Sequence, residues 1–308
     1  MAARATRSTS RKAAHIALSE RIRDAEAVAT GPFGALSHDE LGVIVDGLAD
    51  PLQPVVAVAL SSTCLGLRTP LRAALEVLKE RHARAAALCR KVETSCAELP
   101  GAEQLHGTGR LVADDMATLG MILRTNGLPC LQQLYLGGND IGDAGVQALC
   151  EGLGRGAAPS LHYLGLSGNK FGPAGAETLA AALGRGALPK IEIMGLYYNP
   201  IGNQGVAALA APLRKMPALT KLILSGCEIG DEGVVSLVDN LGKDDFKALE
   251  HLWLNHNNIT DAGVAKLLAA LDAGGLPKLV SYNCFIYDNP ASAVAVEAVK
   301  AALAKRSH

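Results

Sequence analysis

LQQLYLGGNDIGDAGV, residues 131–146, is the stretch of sequence that decides the fold. Its pattern returns five times further along the chain. The position of its asparagine is occupied in successive copies by Asn139, Asn169, Asn199, Cys227, Asn257 and Asn289. These residues are 30, 30, 28, 30 and 32 positions apart. A period in that range is typical of a solenoid, in which each copy packs only against its neighbours.

Each copy has a strand-like half and a helix-like half. In the first half, Leu134 and Leu136 alternate with Gln133 and Tyr135, which is the period-two spacing of a strand. The leucines are predicted to point into the core and the other two side chains away from it. In the second half, residues 146–153 place apolar side chains every three or four positions, which predicts an amphipathic helix.

Repeated strands and helices of one period stack into a parallel sheet backed by a row of helices. Because a helix is about 10 Å wide and strands are only about 4.8 Å apart, the strands must lie on the concave side. The pattern resembles the ribonuclease-inhibitor subtype of leucine-rich repeat. This resemblance implies an α/β leucine-rich repeat solenoid, with a curved parallel β-sheet inside and helices outside. We expect six to seven repeats across residues 99–308, including a diverged first repeat at 100–127.

Two positions in the repeat carry polar side chains with a structural role. By the same resemblance, the asparagine position turns its side-chain amide inward, to satisfy backbone groups where the chain leaves the strand. The residues at this position are Asn139, Asn169, Asn199, Cys227 and Asn257. The second position, at the start of the helix, is acidic in three repeats, as Asp143, Asp231 and Asp261. Carboxylates there interact favourably with helix amide donors and the helix dipole.

Residues 32–98 precede the array and are predicted to form a small all-α module. The layout of residues from Leu36 to Arg68, with Asp50-Pro51 in the middle, resembles an F-box. An F-box docks a Skp-type adaptor of a ubiquitin ligase. The resemblance assigns adaptor docking to Leu36, Leu41, Ile44, Val45 and Leu48. The alternative is a helical cap that covers the open N-terminal end of the solenoid.

The chain contains seven cysteines and no C-x-x-C pair, which favours reduced thiols. A helix is predicted from Thr69-Pro70 to about Cys96. On such a helix Cys89 and Cys96 lie seven residues apart on one face, which indicates packing and not chemistry.

Residues 1–31 are predicted to be a flexible basic tail. The first 23 residues carry six basic side chains and one acid, and the alternative is an organelle transit peptide. The whole chain has a net charge of −1, from 29 basic and 30 acidic residues, which argues against a nucleic-acid binder. No apolar run approaches the 18 or so residues of a membrane span. We expect a cytoplasmic protein, with a nuclear or organellar location as the alternatives.

No pattern of residues predicts a catalytic, metal or cofactor site. His251 and His256 are close in sequence, but no acid or cysteine is in frame with them to complete a metal-ligand set. Ser167 and Ser225 lack the surroundings of a nucleophile. The protein is therefore predicted to be non-enzymatic and to need no cofactor.

The strand positions that point away from the core predict a binding surface. Aromatic residues make up only 4% of the chain, yet several fall on these positions. The predicted partner-binding residues of the concave face are Gln133, Tyr135, Tyr163, Tyr197, Tyr198, Lys221, His251, Trp253 and Asn255. Aromatic side chains at exposed positions supply the large amphipathic contacts that are typical of binding hot spots.

We therefore predict a protein interaction module that binds a protein partner on its concave face. If residues 32–98 form an F-box, the protein is a substrate receptor of a ubiquitin ligase that also binds a Skp-type adaptor. A second hypothesis is a regulator of a small GTPase, because the array resembles that of the Ran GTPase-activating proteins. A third hypothesis is a structural scaffold without a concave ligand.

Overall fold

The computed structural model describes residues 50–55, 58–59 and 72–306, and the chain divides into two units between Ala83 and Arg84. In the first unit, the Asp50 carboxylate accepts hydrogen bonds from the backbone amides of Leu52 and Gln53, at 2.8 and 3.2 Å. The residues predicted to dock an adaptor are Leu36, Leu41, Ile44, Val45 and Leu48. They lie outside the described residues, as does the basic tail, so both assignments stay predictions.

The second unit contains a seven-stranded parallel sheet whose strands follow the order of the chain. The strands are β1 Gln104–His106, β2 Gln133–Tyr135, β3 Tyr163–Gly165, β4 Ile193–Gly195, β5 Lys221–Ile223, β6 His251–Trp253 and β7 Cys284–Phe285. The α-helices are α1 Arg72–Lys91, which begins in the first unit, α2 Ala113–Thr125, α3 Gly142–Gly152, α4 Pro173–Gly184, α5 Gly202–Arg214, α6 Asp231–Val238, α7 Asp261–Asp272 and α8 Ala293–Ala304. Short 3-10 helices occupy Leu99–Gly101 and Ser281–Asn283.

The register of the sheet confirms the repeat. Leu134 of β2 pairs with Leu105 of β1 on one side and with Leu164 of β3 on the other, and all three are at most 3% exposed. The strand residues beside each of these leucines lie on the opposite face. From α2 onward, each helix packs on the helices of the adjacent repeats. The predicted α/β solenoid is confirmed, and β1 with α2 forms the predicted diverged first repeat.

The N-terminal end of the array core is covered within the second unit. Leu88 and Val92, together with Leu99, surround a small apolar cavity with Leu105 and Leu119 of the first repeat. Burial of these side chains removes an apolar surface that the first repeat would otherwise leave open.

The predicted helix up to Cys96 is too long. Helix α1 ends at Lys91, and Glu93 adopts a left-handed backbone with φ of +56°. The amide of Thr94 donates to the carbonyl of Cys89 at 2.9 Å, a bond that closes the helix end. Cys96 therefore does not share a helical face with Cys89, and the chain turns back to bring it close.

The asparagine position connects successive repeats as well as closing its own turn. The Nδ2 of Asn139 donates to the carbonyl oxygens of Leu136 and Gly107, at 2.8 Å each. Its Oδ1 accepts from the backbone amides of Arg110 and Leu111, at 2.7 and 2.8 Å. The Asn139 amide therefore lies inside its own turn and also reaches across to the preceding repeat.

At two positions of this ladder, Asn169 and Cys227, the side chain accepts no hydrogen bond from the described residues. Asn169 donates to the carbonyls of Leu136 and Leu166, both at 2.8 Å, but its buried Oδ1 has no partner among the described residues. The Cys227 thiol donates to the carbonyls of Leu196 and Ser225, at 3.4 and 3.6 Å. A thiol is only a weak hydrogen-bond acceptor, so Cys227 replaces the donor half of an asparagine and not its acceptor half.

The acidic residues at the starts of three helices cap the following helix and not their own. The Asp143 carboxylate in α3 accepts from the amides of Gly172 and Gly175, which begin α4, at 2.7 and 2.8 Å. Asp231 and Asp261 accept in the same way from the start of the next repeat. Stacking places each helix start beside the next, so these side chains reach the neighbouring free amides.

Candidate partner-binding surface

The candidate surface consists of the strand side chains on the face of the sheet opposite the helices. Sheet register aligns them in two columns, one at the first and one at the third residue of each strand. The first column is Gln104, Gln133, Tyr163, Ile193, Lys221 and His251. The second column is His106, Tyr135, Gly165, Gly195, Ile223, Trp253 and Phe285. We call this surface the concave face.

Three aromatic rings form an N-terminal cluster on the concave face: His106, Tyr135 and Tyr163. The His106 and Tyr135 rings are stacked, with centroids 4.5 Å apart and an interplanar angle of 7°. Tyr163 follows at 4.6 Å from Tyr135. Its ring leans over Gly165, where an added Cβ would lie 3.0 Å from the ring. A side chain at this position would crowd the ring, which would have to move by a few tenths of an ångström.

Hydrogen bonding and burial hold the N-terminal cluster in one arrangement. The Tyr135 hydroxyl donates to Oε1 of Gln133 at 2.7 Å, so the glutamine fixes the ring from its own strand. Burial raises the pKa of Tyr163, and the neighbouring Tyr135 and Tyr197 raise it further. The Tyr163 hydroxyl is therefore protonated at neutral pH and can donate a hydrogen bond.

Three more aromatic residues form a C-terminal cluster: Trp253, Phe285 and Tyr287. The Trp253 and Phe285 centroids are 5.1 Å apart, and those of Phe285 and Tyr287 are 6.0 Å apart. Lys221 places its Nζ 4.9 Å from the centre of the Trp253 ring, within cation–π range. His256 contacts Tyr287 edge to face at 5.7 Å. This end of the face is apolar with one cation at its border.

Two polar atoms in β6 are buried without a hydrogen-bond partner among the described residues: Trp253 Nε1 and His251 Nδ1. Burial lowers the pKa of His251, and the nearby Lys221 lowers it further, so the imidazole is neutral at neutral pH. An unpaired buried donor costs free energy that a hydrogen-bond acceptor could recover. The indole N–H is therefore a polar group whose hydrogen-bonding capacity is unused.

Tyr197 and Tyr198 lie between the two clusters and are the most accessible of the predicted residues. They are 38% and 59% exposed, and their rings meet edge to face at 5.6 Å. Tyr198 has a left-handed backbone with φ of +56°, an unusual conformation for a bulky residue. Its ring covers Gly226, where an added Cβ would lie 2.5 Å from Cδ1 of the tyrosine.

The structure brings most of the predicted residues together and sets one apart. Gln133 supports the N-terminal cluster, and Lys221 borders the C-terminal cluster. Asn255 is only 6% exposed, and its Oδ1 accepts a hydrogen bond from the Ser225 hydroxyl at 2.7 Å. That bond already engages the side-chain oxygen of Asn255, so this buried residue is not part of the exposed surface.

Sequence reasoning missed His106, Phe285 and Tyr287. His106 lies in the diverged first repeat, whose strand lacks the leucine pattern. Phe285 and Tyr287 alternate with the buried Cys284 and Ile286, and this alternation is the signal that could have identified them. It was obscured because the last unit is two residues longer and has no leucine at either core position.

The residues 127–150, 157–180, 215–238 and 248–268 match the family model of the leucine-rich repeat. The array is a leucine-rich repeat solenoid. The leucine-rich repeat that holds β4 and α5 lies between the second and third matched segments and has the same strand and helix order. No curated protein matches the chain.

Within residues 50–55, 58–59 and 72–306, no group of three or more His, Cys, Asp or Glu side chains is placed to hold a metal ion. None of the helices in these ranges combines the length and the hydropathy required to cross a membrane.

Proposed function

We propose that this leucine-rich repeat array is a non-enzymatic module that binds a protein partner on its concave face. The observation that carries the proposal is the clustering of aromatic side chains on the face of the sheet that the helices do not cover. Leucine-rich repeats generally mediate protein–protein interaction. The contact residues proposed here are Gln133, Tyr135, Tyr163, Tyr197, Tyr198, Lys221, His251 and Trp253, together with His106, Phe285 and Tyr287.

The physical case rests on where the aromatic area lies. Tyrosine and tryptophan bring large contact areas with only two side-chain torsions, so fixing them on binding costs little entropy. The stacking of Tyr135 against its neighbours further reduces that cost, because the ring is already held. The exposed Tyr197 and Tyr198 supply area that binding would remove from water.

The C-terminal cluster also indicates the chemistry of the partner surface. Trp253 offers an apolar ring, and Lys221 offers a positive charge beside it. A complementary surface would present an apolar side chain and a carboxylate.

Affinity purification tests the proposal with the unmutated chain and the variants Trp253→Ala and Tyr197→Ala. Both variants are expected to lose the captured partner without a large fall in thermal stability. Val294→Ala is the control, because Val294 is 81% exposed, lies on helix α8 and belongs to neither cluster. If the Trp253 and Tyr197 variants capture the partner as well as the control does, the concave face is not the binding surface.

The ubiquitin-ligase hypothesis rests on the F-box-like sequence pattern alone. Under it, a Skp-type adaptor is captured by the unmutated chain and lost by the double variant Leu41→Asp/Val45→Asp. Failure of the unmutated chain to capture the adaptor would contradict the hypothesis. Concave-face binding is expected with or without this activity, since the two surfaces use different residues.

The ribonuclease-inhibitor subtype of the repeats is a proposal from the sequence. The GTPase hypothesis is a separate proposal and rests on the resemblance of the repeats to those of the Ran GTPase-activating proteins. The GTPase hypothesis is tested by measuring whether the protein stimulates GTP hydrolysis by a panel of small GTPases. No change in rate would count against it. If the protein is instead a structural scaffold without a concave ligand, substitution of Trp253 is expected to leave every interaction unchanged.

A further inference from the structure

Two cysteine thiols face each other at the end of α1. Cys89 lies in the last turn of the helix and is 1% exposed. Cys96 lies after the helix and is half-buried. Their Sγ atoms are 3.8 Å apart, which is van der Waals contact for two sulfur atoms.

An ordered backbone holds this pair. The left-handed residue Glu93 reverses the chain after α1, and the amide of Thr94 closes the turn on the carbonyl of Cys89 at 2.9 Å. Beyond it, the Ser95 hydroxyl donates to the carboxylate of Glu98 at 2.9 Å, and the amide of Leu99 donates to the carbonyl of Ser95 at 3.0 Å. The segment that carries Cys96 is thus fixed on both sides of the thiol.

Ion pairs connect the same region to the first repeat. Lys91 contacts Asp115 at 2.6 Å, and Glu93 contacts Arg110 at 2.6 Å. The two thiols are therefore neighbours within an ordered part of the fold, and disulfide formation requires their sulfur atoms to close from 3.8 Å to a bonding distance of about 2.05 Å.

We propose that Cys89 and Cys96 are an oxidation site, at which a peroxide converts the two thiols into an intramolecular disulfide. The Cys96 sulfur attacks one peroxide oxygen and the O–O bond breaks. Cys96 becomes a sulfenic acid, and its thiol proton passes to the departing hydroxide, which leaves as water. The Cys89 sulfur then attacks the sulfenic sulfur and the S–O bond breaks. The proton of Cys89 passes to the departing hydroxide. Two thiols and one hydrogen peroxide give one disulfide and two waters.

The order of these steps follows from accessibility. Cys96 reaches solvent and can meet the peroxide, whereas Cys89 is enclosed. Burial raises the pKa of Cys89 to about 12, and the adjacent Cys96 thiol also raises it, so Cys89 remains a protonated thiol until a sulfenic acid forms beside it. An accessible thiol beside a resolving thiol is the arrangement that favours a disulfide over further oxidation of sulfur.

The disulfide would tie the end of α1 to the segment leading to Leu99. Leu88 and Val92, which precede and follow Cys89, cover the core of the first repeat together with Leu99. The covalent bond joins the two pieces of this cover. Amide hydrogen exchange of residues 92–101 is therefore expected to slow on oxidation, while the exchange of the central repeats stays unchanged.

Peptide mapping of the folded, peroxide-treated protein tests the proposal. Trypsin cuts after Arg84, Arg90, Lys91 and Arg110, so the two cysteines fall in separate peptides, residues 85–90 and 92–110. We expect these peptides to be recovered joined and lighter than their sum by two hydrogens, and to separate on reduction. Circular dichroism before and after treatment confirms that the protein stays folded. Recovery of both peptides unlinked from the folded protein would overturn the proposal.

Three variants separate the roles of the thiols. Cys89→Ala is expected to stop at the sulfenic acid, so that dimedone labels Cys96. Cys96→Ser is expected to show no labelling at Cys89. Cys130→Ser is the matched control and should still form the 89–96 link. Labelling of Cys89 in the Cys96→Ser variant, or an unlabelled Cys96 in the Cys89→Ala variant, would refute the order of attack.

Discussion

The asparagine ladder offers a sharp test of how the repeats hold together, because two of its members differ chiefly in the hydrogen bonds that they accept. Asn139 and Asn169 each donate to two backbone carbonyls at 2.8 Å. Asn139 also accepts from two backbone amides, whereas the Oδ1 of Asn169 has no partner among the described residues. Substitution of either by alanine removes similar volume and two donated hydrogen bonds, but the two carbonyls bound by Asn169 each keep a second asparagine donor. Only Asn139→Ala also leaves two amides without their acceptor.

The expected magnitudes follow from two costs: a lost hydrogen bond costs about 0.5–1.5 kcal/mol, and a buried group left unpaired costs about 1–3 kcal/mol. Asn169→Ala is expected to lower the free energy of unfolding by about 1–3 kcal/mol, because it removes two hydrogen bonds but leaves both carbonyls with a second donor. Asn139→Ala is expected to cost at least about 1–3 kcal/mol more than Asn169→Ala, because it leaves two amides unpaired. The difference between the variants is the tested quantity, since the effects of the cavity largely cancel in it.

Urea unfolding followed by far-UV circular dichroism measures this difference. The fluorescence of Trp253, the one tryptophan of the chain, gives a second probe in β6. Coincident transitions and equal m values are required before the free energies are compared, since repeat arrays can unfold in parts. Equal destabilisation by the two variants, or a larger effect of Asn169→Ala, would refute the reasoning.

Three further predictions concern the polar groups between repeats. Cys227→Asn adds a side-chain acceptor that the thiol lacks and is expected to raise the free energy of unfolding by about 0.5–1.5 kcal/mol; a lower urea midpoint would contradict this. Asp231→Ala removes the cap of α7 and is expected to cost about 0.5–2 kcal/mol, whereas Asp231→Asn keeps an acceptor and should retain most of the stability in the same assay. The ion pair to Lys215, with a backbone amide bond, holds the pKa of Asp245 below its ordinary 3.8. The ionised Asp245 therefore stabilises the fold at pH values above 3.8, and this stabilisation is lost as the pH falls through the lower folded-state pKa. The difference in free energy of unfolding between the wild type and Asp245→Asn should accordingly shrink from neutral pH to about pH 3, and an increase would contradict the prediction.

The predictions from sequence were incomplete or wrong where a contact depends on more than the local pattern of residues. The acidic position at the helix start is visible in the sequence, but its partner lies in the next repeat, as the bond from Gly172 to Asp143 illustrates. In the same way, the sequence placed Cys89 and Cys96 on one helix. A left-handed turn at Glu93 ended that helix and brought the thiols into contact instead.

The sequence by itself determined the repeat period, the alternation of core and surface residues in each strand, and the asparagine position. It could do so because these features are local. The alternation that buries Leu134 and Leu136, for example, is a property of one strand. Only the tertiary structure decided which surface residues meet. The stacking of Tyr135 on His106, the contact of Trp253 with Phe285 and the burial of Asn255 depend on register between strands about 30 residues apart. The repeat pattern does not specify the orientation of side chains in the adjacent repeat, because packing between repeats determines that orientation.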